Sequence, residues 1–385
     1  MNITRIKKPK FFLIVLTLIL FSCGQDSVFY DISNEPEPKD PLIDGSPTNI
    51  VLFKNRIFSG TRMSNKIYYY ANNDDTFSWK TITLPTGYLG DLATDGEYLY
   101  VLIFRDRDPL KSSMIRKYNF DTDTWDMNYT ISGYSIQTIF GAGNKIFAGG
   151  QYTSNRQNFA ILFLDQESNS LTVIKYGTSL LKGAAQSTSG IIYLATAGSG
   201  MYVFNEKSLD TSPARGTDKA NINGIISVGN YIVAVSADGT IYADTSTSGR
   251  FRNANVGVNF TGAMCVWLDR KNQWRPSLLL LGIRGRGTSL THGYMEMLLD
   301  NGKPAFNIKS PGDDSPTSVI NKAKYTASIG THPVESIMQI PDASAGGPLT
   351  YRNFTGDPEW EPPIFASTAK SGLWSYREGE WNAED

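Results

Sequence analysis

Histidine and cysteine are nearly missing from the chain, with two of each in 385 residues. Zinc sites draw on several His or Cys ligands. His292, His332 and Cys265 form no HExxH or CxxC spacing, so no metal or other cofactor is expected. A GxSxG elbow in a strand–turn–helix context, the mark of one large class of serine hydrolases, is also missing. No long stretch repeats its apolar residues at the helical period. A helix needs about 20 apolar residues to cross a bilayer, and the uncharged run Phe11 to Phe21 holds 11. An excess of positive charge is lacking too. Lys and Arg number 36 against 37 Asp and Glu, and Arg5, Lys7, Lys8 and Lys10 all precede the apolar run. The remainder therefore carries 32 basic and 37 acidic residues, which argues against a nucleic-acid partner.

What the N-terminus does have is a basic head, a short apolar stretch and a small residue at its end. That is the plan of a secretory signal. It closes on Leu20-Phe21-Ser22-Cys23, which resembles the lipobox of bacterial lipoproteins, although Phe21 is bulkier than is usual there. The resemblance implies removal of residues 1–22, a diacylglycerol thioether on Cys23, and anchoring to a membrane of the cell envelope. Gly24 follows the cysteine in place of the Asp that retains such proteins at the inner membrane, which favours the outer membrane. With Cys23 acylated, Cys265 is the only thiol left and no disulfide can form within the chain. Residues 23–48 contain Pro36, Pro38, Pro41 and Pro47 and are expected to be a flexible tether. Within it, SVFYDIS is a candidate extra edge strand.

From residue 49 the pattern changes to short β-rich runs between clusters of Gly, Asn, Asp and Ser. One run recurs as NRIFSG, EYLYVL, NKIFAGG, GIIYLA, NYIVAV, SLLLLG and PPIFAS. Its reference positions are Ile57, Leu99, Ile146, Ile192, Ile232, Leu279 and Ile364, spaced 42, 47, 46, 40, 47 and 85. A period of 40 to 50 residues with four strands per unit predicts a β-propeller. Residues 49–385 are expected to be all-β, with seven four-stranded blades. The last spacing is nearly double. We assign the excess to inserted loops at 310–333 and 341–362, the alternative being an eighth blade. The recurring run is the second strand of each blade. A first strand such as GAMCVWL or ESIMQI precedes it, a third such as SGMYVF or DGTIYAD follows, and the fourth begins near Trp79, Trp125 or Trp381. Cys265, within GAMCVWL, reads as a core residue.

The units MIRKYNFDTDTWDMN and IYYYANNDDTFSWKTI resemble kelch and sialidase-like propeller repeats. A kelch blade would carry a Gly-Gly pair in each unit, and among the recurring runs here only NKIFAGG has one, Gly149-Gly150. Sialidase resemblance would imply three arginines, a Tyr–Glu pair and Ser-x-Asp-x-Gly-x-Thr-Trp boxes. The nearest match, DTSTSGRF at 244–251, lacks the internal Asp and the Trp. No catalytic residue is assigned.

Strand alternation gives a sharper expectation. Loops joining second to third strands must share one face of the disc, and those joining third to fourth must share the other. The first set carries Arg62, Lys66, Arg105, Arg107, Lys111, Arg156, Arg284, Arg286 and Lys370 against Asp106, Asp108 and Asp238, a net of +6; the second, which includes Asp74, Asp75, Asp121, Asp123, Asp165 and Glu167, nets −8 after its Lys207, Arg250, Lys303 and Arg377. Asp is favoured in tight turns for its own hydrogen bonds, but turn chemistry does not explain the arginines. A basic face would attract acidic proteins, anionic envelope glycans or phosphate-bearing lipids. The expected function is a lipid-anchored binding or scaffold module. The alternatives are an exported glycan-acting enzyme, either a sialidase-like hydrolase or a lyase, and a surface adhesin.

Overall fold

Each recurring apolar run is a strand sealed on both faces. In the computed structural model, Leu99–Phe104 and Ile192–Thr196 are buried along their whole length, and all seven reference positions are at most 4% exposed. Burial of one such side chain contributes about 1.5–3 kcal/mol. A strand reads this way only when other sheets cover both its faces. The structure describes residues 42–43, 45–54, 56–71, 79–228, 231–244, 249–267, 278–284, 293–300, 303–304, 320–322, 329, 332–339, 364–368, 371–377 and 380–384. The chain divides into Met1–Asp40, outside the described residues, and Pro41–Asp385.

Pro41–Asp385 is a seven-bladed β-propeller. The described residues form seven antiparallel sheets, each with its first four strands in chain order. The first strands are Val51–Phe53, Tyr88–Thr94, Tyr134–Ala142, Leu181–Gln186, Ile222–Val228, Asn259–Trp267 and Val334–Gln339, for blades 1 to 7. The fourth strands Thr124–Tyr129 and Arg252–Asn255 are polar and mostly exposed, which suits an outer edge that must not pair with another chain. Trp79, Trp125 and Trp381 lie in the fourth strands of blades 1, 2 and 7. Among the described residues there is no helix long and apolar enough to cross a membrane.

The long 85-residue interval contains no further blade among the described residues. Part of the expected 310–333 loop is ordered against the sheet: Ile320–Lys322 pairs with Tyr294–Asp300 at the edge of blade 6. The 341–362 segment lies outside the described residues, as does SVFYDIS.

Seven apolar clusters hold the blades together, one at each junction, including that between blades 7 and 1. This last junction recruits residues from before position 49. Ile43 is fully buried in it with Ile50, Ile57, Tyr70, Phe365 and Leu373. The Leu42 amide donates to the Glu384 carbonyl at 2.9 Å, and the Thr48 amide to Gly60 at 2.9 Å. Residues 42–43 and 45–48, placed in the tether on their composition, therefore pack on the propeller.

Candidate functional site

The seven first strands surround a central cavity of about 440 Å³. Its wall is largely apolar, with Leu52, Phe140, Ala184, Ile226, Met264 and Met338 facing inward and remaining half-exposed there. One end opens into a second cavity of about 350 Å³ lined by Arg62, Lys182, Arg284 and Glu335, together with Asn49, Asn223 and Thr261. This is the end at which first strands begin, and second-to-third loops lie on the same side.

A repeated irregularity builds this mouth. Near the start of the first strands of blades 2 to 7 the register slips against the second strand. The residues passed over include Lys182, Asn223 and Glu335, at the same level in blades 4, 5 and 7. A bulge re-aims the side chain it adds, and here it delivers polar side chains to the mouth of an otherwise apolar channel.

Polar side chains at this level also bridge one blade to the next. Thr138 Oγ1 donates to the Leu181 carbonyl at 3.0 Å, Asn223 Nδ2 to Phe260 at 2.8 Å and Thr261 Oγ1 to Val334 at 2.6 Å. The Ile50 amide donates to Ser336 Oγ at 2.8 Å, and the Asn49 amide to Asp91 Oδ1 at 2.9 Å.

Charges at the mouth are arranged in pairs, with one left over. Arg62 meets the fully buried Asp91 at 3.0 Å. Burial pushes the Asp91 carboxyl above the ordinary carboxylate value, while Arg62 and the amides of Asn49 and Leu92 pull it back. Arg284 meets Glu335 at 3.2 Å. Lys182 has no ion-pair partner among the described residues. Burial lowers its pKa first, and the fields of Arg62 and Arg284 lower it further, against Glu335. Among the described residues, three cations and two carboxylates leave one net positive charge at the mouth.

The basic loop residues are placed as follows. Arg62 and Arg284 converge on the mouth. Arg105 and Arg107, between the second and third strands of blade 2, and Arg156, in the same connection of blade 3, are exposed and do not line it. All five belong to one face by topology. None of Arg105, Arg107 and Arg156 forms an ion pair among the described residues. Arg286, Lys370 and Cys23 lie outside the described residues. On the opposite face, two lysines bridge to carboxylates of the neighbouring blade. Lys54 pairs with Asp121, and Lys207 with Asp165 at 2.9 Å and Glu167 at 3.3 Å. Asp91, Lys182, Asn223 and Glu335 were not singled out from the sequence; their one signal is a polar residue breaking an apolar first strand.

No protein-family model matches the chain, and no curated protein matches it. Solved structures share its fold. One, titled "Structure of U3-55K", aligns with a TM-score of 0.54 at 11% identity, over 84% of this chain and 89% of that one. Another, titled "Crystal Structure of Mitotic Checkpoint Complex", gives 0.53 at 10% identity, over 91% and 97%. Identity this low shows the propeller fold alone. The propeller fold fits a binding or scaffold module but does not by itself assign a function. For catalysis, the mouth offers two carboxylates, each held by an arginine, and no tyrosine among its described lining residues. No three His, Cys, Asp or Glu residues gather to hold a metal among the described residues.

Proposed function

We propose that the protein is a binding or scaffold module of the bacterial cell envelope. On this reading it is tethered by lipid on Cys23, at the outer membrane, and meets an acidic protein or an anionic envelope glycan through its arginine-bearing face. The observation that supports the partner reading is the set of exposed arginines left over on that face, beyond the paired Arg62 and Arg284. Arg105, Arg107 and Arg156 are exposed without ion pairs among the described residues, whereas Lys54 and Lys207 opposite are paired across blades. Unpaired surface cations attract an anionic partner through a field that salt screens over about 10 Å.

The test is capture from a detergent-solubilised envelope with the tagged full chain, at low and high salt. A partner retained at low salt, released by salt and lost from the triple variant Arg105→Glu, Arg107→Glu, Arg156→Glu supports the reading. Equal capture by the triple variant overturns it. Protease treatment of intact cells separates an outward-facing adhesin from a module on the inner leaflet.

A further inference from the structure

We propose that the channel mouth binds the carboxylate of an amphipathic monoanion, with Lys182 holding the carboxylate and the ligand's apolar chain lying in the channel. This goes beyond the partner face, because it assigns a small-molecule site on the propeller axis.

Three observations lead there. First, the two arginines at the mouth are already committed to Asp91 and Glu335, while the half-buried Lys182 ammonium forms no ion pair among the described residues. A cation held near two others gains from an added anion. Second, the net charge of the mouth among the described residues matches one negative charge. A dianion would meet the Asp91 and Glu335 carboxylates as repulsion. Third, the wall beneath the mouth is Leu52, Phe140, Ile226, Met264 and Met338, apolar side chains left half-exposed because they face the lumen. Covering that surface with a hydrocarbon chain removes it from water. The cavity, about 440 Å³, falls in the range of small-molecule sites. Its blade 7 wall runs from Glu335 to Met338, roughly 10 Å of strand, so the chain should be of medium length.

Decanoate is the probe, titrated by calorimetry into the full chain carrying Cys23→Ser, a change that removes the proposed lipid and the need for detergent. Saturable binding of one decanoate is expected. Lys182→Met keeps the lysine stem and should weaken binding roughly tenfold or more, the loss of a charged hydrogen bond. Ala184→Phe should block the lumen and weaken it similarly. Acetate, decan-1-ol and decyltrimethylammonium should each bind at least about tenfold more weakly than decanoate. Circular dichroism and urea midpoints verify that both variants fold. Decanoate binding unchanged in either folded variant overturns the site, and acetate binding as tightly as decanoate overturns the role of the channel. Capture of an envelope partner depends on Arg105, Arg107 and Arg156 and should survive Lys182→Met, so the two readings fail separately.

Discussion

Glu384 accepts a hydrogen bond from the Trp79 indole at 2.6 Å, across 305 residues of sequence. It also accepts from Ser375, and its backbone is bonded to both Leu42 and Leu373. Blade 7 is thereby latched to the outer strand of blade 1. Glu384→Ala leaves the buried Ser375 hydroxyl and the Trp79 indole without this acceptor, at about 1–3 kcal/mol each. A loss of about 2–4 kcal/mol in urea unfolding is expected, with Glu384→Gln, which keeps an acceptor, losing less. Wild-type stability in Glu384→Ala would show that the clusters close the ring unaided.

The Arg62–Asp91 pair predicts a pH-dependent defect. Removing Arg62 leaves Asp91 as a buried carboxylate with only two amide donors, at a cost of about 3 kcal/mol near neutral pH. It also raises further a carboxyl that burial has already raised. A raised folded-state pKa means that stability is fully present below the unfolded value and is lost as pH rises through the folded one. The gap between wild type and Arg62→Met should therefore narrow on acidification to about pH 4, near the ordinary carboxylate value. Urea midpoints at both pH values measure this, and an equal gap at both would show that the defect is not electrostatic.

Gly224 marks where blades 5 and 6 touch. A Cβ there would lie 2.0 Å from the Gly262 carbonyl oxygen, and one on Gly262 2.3 Å from that of Asn223. Gly224→Ala must force two first strands apart, an overpacking defect of about 3 kcal/mol. Gly133 has φ +82° and open space around it, so Gly133→Ala should lose only the left-handed penalty of about 1–2 kcal/mol. Comparing the two by thermal unfolding separates steric from conformational cost, and the reverse order would contradict the close approach.

The blades were legible because a strand sandwiched between two others leaves an apolar run that polar neighbours cannot obscure. Ile57, Leu99 and Ile146 mark it directly. Placing Arg62, Arg105, Arg107, Arg156 and Arg284 on one face needed only the alternation of strand direction. The mouth was not legible. Lys182 stands in LKGAAQ, which has no strong strand pattern, and it points inward because the register slips between Leu181 and Gly183. Asp91, Lys182 and Glu335 meet only because seven blades close a ring. Ile43 was hidden by the proline-rich composition around it, although it seals the last junction.

Cys265 sits between blades 6 and 7, where Sγ accepts from the Gln339 amide at 3.1 Å. Burial pushes its thiol up to about 12. The thiolate is the reactive form, so the native chain should not react with an alkylating reagent near pH 8, and unfolding in urea should release one thiol. This count also bears on the N-terminus. If Cys23 carries a thioether, membrane-extracted chain unfolded in urea gives one thiol, whereas a free Cys23 gives two, one of them reactive before unfolding. Cys23→Ser should likewise give one thiol while losing incorporation of labelled lipid. Rapid native labelling that persists in Cys23→Ser would show that Cys265 is not sealed between the blades.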